Sequence, residues 1–133
     1  MDWKLEVIPV PVSDVDKAKA FYGEQCGFVV DHDTRVSDDV RIVQLTPPGS
    51  ACSIVIGAEV GTPPGCVQGL QLVVPDIEAA RGELAGRGVE VSRVQHYGSG
   101  GVLADGPGDR WNVFAFFSDP DGNGWVLQER PSD

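Results

Sequence analysis

The feature that most constrains the fold is an internal repeat of one strand–helix unit. At the offset that brings Asp14 onto Asp76, the residues around these two aspartates also match in type. The matched pairs are Val12 with Val74, Val15 with Ile77, Asp16 with Glu78 and Ala18 with Ala80. Such a unit cannot bury its own sheet face, so two copies are expected to pair. The sequence therefore predicts a duplicated module.

Each copy is predicted to contain a strand, a helix and three further strands. In the first copy, a strand at 3–12 leads to a helix that is capped by Ser13 or Asp14 and ended by Gly27. Strands are then predicted at 28–36, 40–46 and 51–57. Pro9 and Pro11 each remove a backbone donor, which predicts that the first strand lies at a sheet edge or a barrel seam.

In the second copy, a strand at 69–74 precedes a helix that is capped by Asp76 and ended by Gly88. A further strand is predicted at 89–94. Residues 96–110 are rich in glycine and predict a long flexible loop, either a lid or binding loop or a disordered excursion. An aromatic strand then turns through 119–123 into a last strand, on which Val126 and Gln128 face away from Trp125 and Leu127.

The length predicts one domain, 1–133, with modules at 1–60 and 67–133 and a connector at about 58–68. The formal net charge of −10 disfavours binding to nucleic acids and to anionic membranes. Three cysteines without a C-x-x-C pair are typical of reduced thiols. Because no secretory or membrane-spanning pattern occurs, we expect a soluble, cytoplasmic protein.

Three features together resemble one known family: the duplicated module, the first helix with its Val12-Ser13-Asp14 start and Phe21-Tyr22 pair, and the segment Asp-Pro-Asp-Gly-Asn at 119–123. The chain resembles the vicinal oxygen chelate superfamily, which contains glyoxalases, bleomycin-resistance proteins and extradiol dioxygenases. The resemblance covers almost the whole sequence. It implies an α+β fold of two βαβββ modules, whose curved mixed sheets surround a cleft, in a homodimer.

The resemblance also implies where a metal would be held. Metal-dependent members of the superfamily place His, Glu or Gln at four positions, which correspond here to Val7, Gly69, Val126 and a position near Val55. None of these side chains offers a lone pair to a divalent cation. We therefore predict no metal site and no cofactor.

Several other residues are candidates for binding a ligand. Gln71 and Gln128 lie two residues beyond Gly69 and Val126 on the same strand faces, so their carboxamides could bond a ligand or each other, or be ordinary strand-end polar groups. His96 is a candidate catalytic acid–base group, or simply a solvated residue, and Tyr97 could support it or bind a ligand oxygen.

Arg110 and Trp111 complete the predicted ligand-binding set. Arg110 could meet an anionic ligand or pair with Asp109. Trp111 is one of several aromatic residues that are expected mostly in the core, although any that faces a cleft would offer a stacking wall to a planar ligand.

The function hypothesis is metal-independent binding of a hydrophobic or planar small organic molecule. The chain would be either a resistance-type binder or an isomerase-type enzyme in which His96 moves a proton. The first alternative is a metal-dependent lyase or dioxygenase of glyoxalase type with displaced ligands. A second is a purely structural dimerisation module.

Overall fold

The computed structural model describes residues 1–58 and 61–132 as an α+β chain with two mixed sheets, which confirms the predicted fold class. The chain divides into two compact units. Unit 1 is Met1–Val67 with Asp119–Asn123, and unit 2 is Gln68–Ser118 with Gly124–Asp133. The connector that was predicted at about 58–68 includes Glu59 and Val60, which lie outside the described residues.

Unit 1 contains a four-stranded sheet and one helix. Its elements are β1 (Val7–Pro9), α1 (Val15–Lys19) continued by a π-helical stretch (Ala20–Gln25), β2 (Val29–Arg35), β3 (Arg41–Thr46) and β4 (Ser53–Ile56). The strand order is β1-β4-β3-β2, with β1 parallel to β4 and the other pairs antiparallel. Hydrophobic residues of β3 and β4 form the core beneath α1, namely Val43, Leu45, Ile54 and Ile56.

The first strand is shorter than predicted. Residues 3–6 are outside β1, and Trp3 and Leu5 are 88% and 69% exposed, so their alternation with polar residues does not reflect burial. The predicted edge position is confirmed, since β1 pairs only with β4 in this sheet. Pro9 has no N–H to donate to a ladder, which is compatible with a place on an edge strand.

The helix starts show the repeat in atomic detail. Asp14 and Asp76 have nearly the same cap conformation, with φ/ψ of −138°/107° and −144°/104°. Each carboxylate accepts a hydrogen bond at 3.1 Å from the backbone N–H three residues on, at Lys17 and Ala79. Both predicted caps are therefore confirmed, with Asp14 rather than Ser13 as the cap of the first helix.

Unit 2 contains a five-stranded sheet and a second helix. Its elements are β5 (Leu70–Val74), α2 (Ile77–Gly86), β6 (Gln95–Tyr97), β7 (Leu103–Asp105), β8 (Phe114–Ser118) and β9 (Gly124–Glu129). The order is β5-β9-β8-β6-β7, with β5 parallel to β9 and the other pairs antiparallel. α2 packs on β8 and β9, whose inward residues are buried: Ala115, Phe117, Trp125 and Leu127.

Two predictions for unit 2 are wrong. The strand at 89–94 is not formed, because the hydroxyl of Ser92 accepts the N–H of Phe116 at 2.9 Å, where a regular ladder would use a carbonyl. The flexible loop at 96–110 is instead largely a hairpin of β6 and β7, with a short 3₁₀ turn at Ser99–Gly101 between them. β7 is thus an additional strand in the second module.

The segment 119–123 forms a buried polar network in unit 1. The carboxylate of Asp119, which is only 5% exposed, accepts four hydrogen bonds. They come from the Tyr22 hydroxyl at 2.6 Å, the Asp121 and Asn123 backbone N–H groups at 2.9 Å each, and the Asn123 side chain at 2.8 Å. This network explains structurally why Asp119 and Asn123 belong to the turn.

Candidate functional site

One face of the five-stranded sheet in unit 2 gathers most of the predicted ligand-binding residues. Strand register pairs Gln71 with Val126, and Gln128 with both Val73 and Phe114, so these side chains share the face that α2 does not cover. We call this surface the amide face. Its residues are Gln71, Val73, Gln95, Tyr97, Phe114, Phe116, Val126 and Gln128.

Two glutamines on the amide face form a hydrogen-bonded chain. Nε2 of Gln71 donates to Oε1 of Gln128 at 2.6 Å, and Nε2 of Gln128 donates to the backbone carbonyl of Trp111 at 2.7 Å. The first bond fixes the two carboxamides relative to each other. Gln71 is exposed and its Oε1 accepts no hydrogen bond from the described residues, so this carbonyl oxygen is available to a donor in a ligand.

Aromatic rings lie beside the glutamines. Tyr97 meets Phe114 edge to face at a ring-centroid distance of 5.2 Å, and Phe114 is roughly parallel to Phe116 at 6.5 Å. Tyr97 is 44% exposed, and both phenylalanines are half-buried. The amide face therefore combines apolar surface with oriented polar groups, as small-molecule sites do.

Trp111 is attached to the amide face through its backbone. It has φ of 66°, the left-handed region that bulky residues rarely adopt, and its side chain is 49% exposed. The next residue, Asn112, accepts the N–H of Tyr97 at 2.8 Å through Oδ1 and donates to the Tyr97 carbonyl at 2.9 Å through Nδ2. This two-point contact fixes the chain immediately after Trp111.

The structure does not bring His96 together with the glutamines. His96 lies between Gln95 and Tyr97 on β6, so strand alternation turns it to the opposite side of the sheet. Its Nδ1 lies 2.9 Å from the carbonyl of Gly106, a contact within the hairpin. Arg110 is exposed in the turn before Trp111. The catalytic role of His96 and the ligand contact of Arg110 stay predictions.

The four positions where the superfamily places metal ligands remain poor in donor atoms. Val7 pairs with Ser53 in register and Val55 with Pro9, Gly69 directly precedes β5, and Val126 pairs with Gln71. Within residues 1–58 and 61–132, no three His, Cys, Asp or Glu side chains come together in a group that could hold a metal ion. The residues at these positions do not fit a divalent cation.

Unit 1 carries a separate cluster of charges on its helix side. Asp33 receives two hydrogen bonds at 2.8 Å from Arg41 and one at 2.6 Å from Lys19, and Arg41 also contacts Asp16. The bonds from Arg41, and then from Lys19, hold the pKa of Asp33 well below its usual value. The hydrogen bonds that Arg41 makes with Asp33, and then with Asp16, raise the pKa of Arg41.

The cluster borders a cavity of about 410 Å³ within unit 1. The cavity also touches Gly23 and Glu24 of the π-helical stretch, with Phe28 and Val30 as apolar lining. Because its cations are paired with carboxylates, the cluster has no net positive charge to attract an anion.

Comparison with known proteins identifies the class. A profile of the Glyoxalase/Bleomycin resistance protein/Dioxygenase superfamily matches residues 4–127. The chain therefore belongs to this superfamily, as the sequence motifs predicted. The comparison with curated proteins finds no match.

Solved structures add two relatives at 35% identity, both from Streptomyces sp. CB03234. One is TnmS3, an antibiotic binding protein, which aligns over 98% of both chains with a TM-score of 0.78. The other is a glyoxalase/bleomycin resistance protein, which aligns over 94% of this chain and 99% of that one with a TM-score of 0.73. A superfamily member from Sphaerobacter thermophilus DSM 20745 is 29% identical over 97% and 98% of the chains, with a TM-score of 0.74.

No helix in the described part of the chain is both long enough and apolar enough to cross a bilayer.

Some residues of the site were not predicted from the sequence. Gln95 falls between the predicted strand at 89–94 and the predicted loop at 96–110, whereas it begins β6 and pairs with Phe114. Asn112 was missed because nothing in its sequence context indicates its contacts with Tyr97. The outward position of Phe114 and Phe116 follows from their alternation with the buried Ala115 and Phe117, a signal that the sequence does contain.

Proposed function

We propose that this chain binds a hydrophobic or planar small organic molecule on the amide face, without a metal ion. The observation that carries the proposal is the arrangement of that face: half-exposed aromatic rings lie next to two glutamines with fixed orientation. A ligand would cover the rings, and the hydrophobic effect would supply most of the affinity. The relationship to TnmS3, an antibiotic binding protein, supports this class of ligand.

The glutamines would orient the ligand. With Nε2 of Gln71 bonded to Gln128, the open Oε1 of Gln71 accepts from a ligand N–H or O–H. The second N–H of each carboxamide donates to a ligand carbonyl. Such bonds add modestly to affinity and mainly select the pose.

A binder is favoured over an acid–base enzyme. The groups proposed to orient the ligand are the carboxamides of Gln71 and Gln128, and carboxamides do not exchange protons near neutral pH. His96, the candidate proton carrier, lies on the other side of the sheet. The proposal therefore assigns His96 to the hairpin and not to chemistry.

We further propose that the protein acts as a homodimer in a reducing compartment such as the cytoplasm. The dimer is supported by the superfamily resemblance, and the compartment by three cysteines that form no disulfide in the structure. Sedimentation equilibrium tests the first statement. A monomer at micromolar concentration would contradict it.

The proposal that no metal ion takes part is tested by elemental analysis of protein that is purified without chelator. Val7, Val55, Gly69 and Val126 supply no side-chain donor, so substoichiometric metal is expected. Stoichiometric Zn, Ni, Mn or Fe would contradict the proposal and favour a metal-dependent lyase or dioxygenase with ligands elsewhere.

Binding is tested by calorimetric titration with acridone, an uncharged planar molecule that carries one carbonyl and one N–H. Saturable binding is expected, and Gln71→Met is expected to weaken it about 3- to 10-fold, the loss of one neutral hydrogen bond. The matched control is Gln44→Met, which removes a half-buried strand glutamine from unit 1. If Gln44→Met weakens acridone binding and Gln71→Met does not, the assignment of the site to the amide face is contradicted.

A further inference from the structure

The cavity of about 410 Å³ in unit 1 opens between the helix and the edge of the four-stranded sheet. Its helical wall is one stripe of α1 and the π-helical stretch, since positions 16, 19, 20, 23 and 24 recur at helical spacing. On the sheet side, Val30 pairs in register with buried Leu45, so it faces the helix. Val30 lies on edge strand β2 and is 39% exposed. The cavity has the volume of a small-molecule site.

Gly23 leaves the space beside Val30 open. A Cβ at Gly23 would lie 3.6 Å from Cγ2 of Val30 and 3.7 Å from Cδ2 of Leu45, which are ordinary van der Waals distances. No close contact therefore requires glycine here, and glycine inside a helix is less stable than alanine. The stretch also contains a π-type bond, from the N–H of Cys26 to the Phe21 carbonyl at 2.8 Å, and such turns occur frequently at functional sites. Stability alone does not explain this wall.

The charges around the cavity leave one carboxylate unpaired. Lys19 and Arg41 are both bonded to Asp33, and Arg41 also contacts Asp16. Glu24 is exposed and makes no hydrogen bond or ion pair with any residue that the structure describes. Three carboxylates against two cations give this group a net formal charge of −1.

We infer that this cavity is a second binding site, for a monocationic amine that carries a small apolar group. The ammonium pairs with the carboxylate of Glu24, and the apolar group fills the gap beside Gly23 against Phe28 and Val30. Charge complementarity selects the cation, because the unpaired charge is negative and the whole chain carries a net charge of −10. The site lies in unit 1, whereas the amide face belongs to unit 2, so it goes beyond the proposed function.

The probe is phenethylamine, which is protonated at neutral pH, titrated in a calorimeter. 2-Phenylethanol is its neutral counterpart, and 3-phenylpropionate is an anion of similar size. Phenethylamine is expected to bind saturably and about 10-fold more tightly than 2-phenylethanol, from the charge-assisted contact, with 3-phenylpropionate the weakest. No saturable binding of phenethylamine, or equal binding of either counterpart, would overturn the inference.

Glu24→Gln removes the charge and keeps the size of the side chain. It is expected to weaken phenethylamine binding about 10-fold and to remove the preference over 2-phenylethanol. The matched control is Glu83→Gln, which removes an exposed carboxylate of α2 and changes the net charge equally. Its affinity should stay within about 2-fold of wild type. Equal losses in the two variants would assign the effect to net charge and overturn the site.

Gly23→Ala narrows the gap without removing a polar group. Phenethylamine affinity is expected to fall about 3- to 10-fold while the melting temperature stays at or above that of wild type, because alanine favours the helix. The matched control is Gly82→Ala in α2, where an added Cβ meets nothing within 4 Å. This control should gain stability and keep the wild-type affinity. Full affinity in Gly23→Ala would contradict the placement of the apolar group.

Gln71→Met separates this inference from the proposed function. It should leave phenethylamine binding unchanged, because Gln71 belongs to the amide face. If Gln71→Met weakens phenethylamine binding and Glu24→Gln does not, the amine occupies the amide face and the inference fails. If acridone does not bind but Glu24→Gln weakens phenethylamine binding, the proposed function fails and the inference stands.

Discussion

The substitution Asn123→Ala tests whether the network at 119–123 is a main source of stability in unit 1. Asn123 is fully buried. Its Nδ2 donates at 2.8 Å to the carbonyl of Pro11 and at 2.8 Å to Asp119, and its Oδ1 accepts at 3.2 Å from the N–H of Val67. Alanine removes all three bonds at once.

The magnitude follows from these contacts. Each lost hydrogen bond is worth about 1 kcal/mol, and a buried carbonyl that is left without a partner, here that of Pro11, adds a further penalty of similar size. The free energy of unfolding should therefore fall by about 3–4 kcal/mol. For a chain of this length the midpoint of thermal unfolding should drop by about 10 °C.

Urea denaturation with two variants gives the comparison. Tyr22→Phe removes the hydroxyl bond to Asp119, whose carboxylate keeps three other donors, so a smaller loss of unfolding free energy, about 1–2 kcal/mol, is expected. The reasoning is refuted if Asn123→Ala lowers the free energy of unfolding by less than Tyr22→Phe does. An unchanged denaturant slope in both variants confirms that the change lies in stability and not in the denatured state.

Three further predictions concern other parts of the chain. Asp14→Ala and Asp76→Ala should each lower the unfolding free energy by about 1 kcal/mol in urea denaturation. If one loss is more than twice the other, the two caps are not equivalent. Because the native pKa of Asp33 is lowered, its stabilisation is present above the ordinary carboxyl pKa and lost below it. The stability difference between wild type and Asp33→Asn should thus narrow in urea titrations below about pH 4 and not at higher pH. His96→Ala should leave acridone affinity within about 2-fold, because its ring faces away from the amide face, and a 10-fold loss would return it to the site.

The duplicated architecture was predictable because its signals are local. The caps at Asp14 and Asp76 depend on one carboxylate and the N–H three residues on, and both formed as the sequence indicated. The strands of β8 and β9 were also predictable, because buried Phe117 and Trp125 alternate with half-exposed Phe116 and Val126. A periodicity of two is sufficient to assign these faces.

The hairpin of β6 and β7 was not predictable from composition. Its glycines suggested a flexible loop, but the cross-strand pairing of Gln95 with Asp105 and of Tyr97 with Leu103 depends on contacts across the loop. The failure of the predicted strand at 89–94 has a similar cause, since the hydroxyl of Ser92 accepts the backbone N–H of Phe116 in β8. Side-chain competition of this kind is decided by tertiary position and not by propensity.

The candidate site was predictable in part. The alternation of side chains along each strand is enough to place Gln71 and Gln128 on one face. The direct bond between them depends on the parallel pairing of β5 with β9. The position of His96 relative to that face depends on where β6 begins, which the sequence did not reveal. Left-handed backbone at Trp111 has no sequence signal, since tryptophan is among the residues least suited to it.

The most direct test of metal-free binding at the amide face is one acridone titration, performed with and without excess EDTA on wild type and on the double variant Gln71→Met/Gln128→Met. We predict the same wild-type affinity in both buffers and a loss of at least 10-fold in the double variant, from the removal of two oriented carboxamides. Binding that EDTA abolishes and a divalent cation restores, or that the double variant retains in full, would contradict the account.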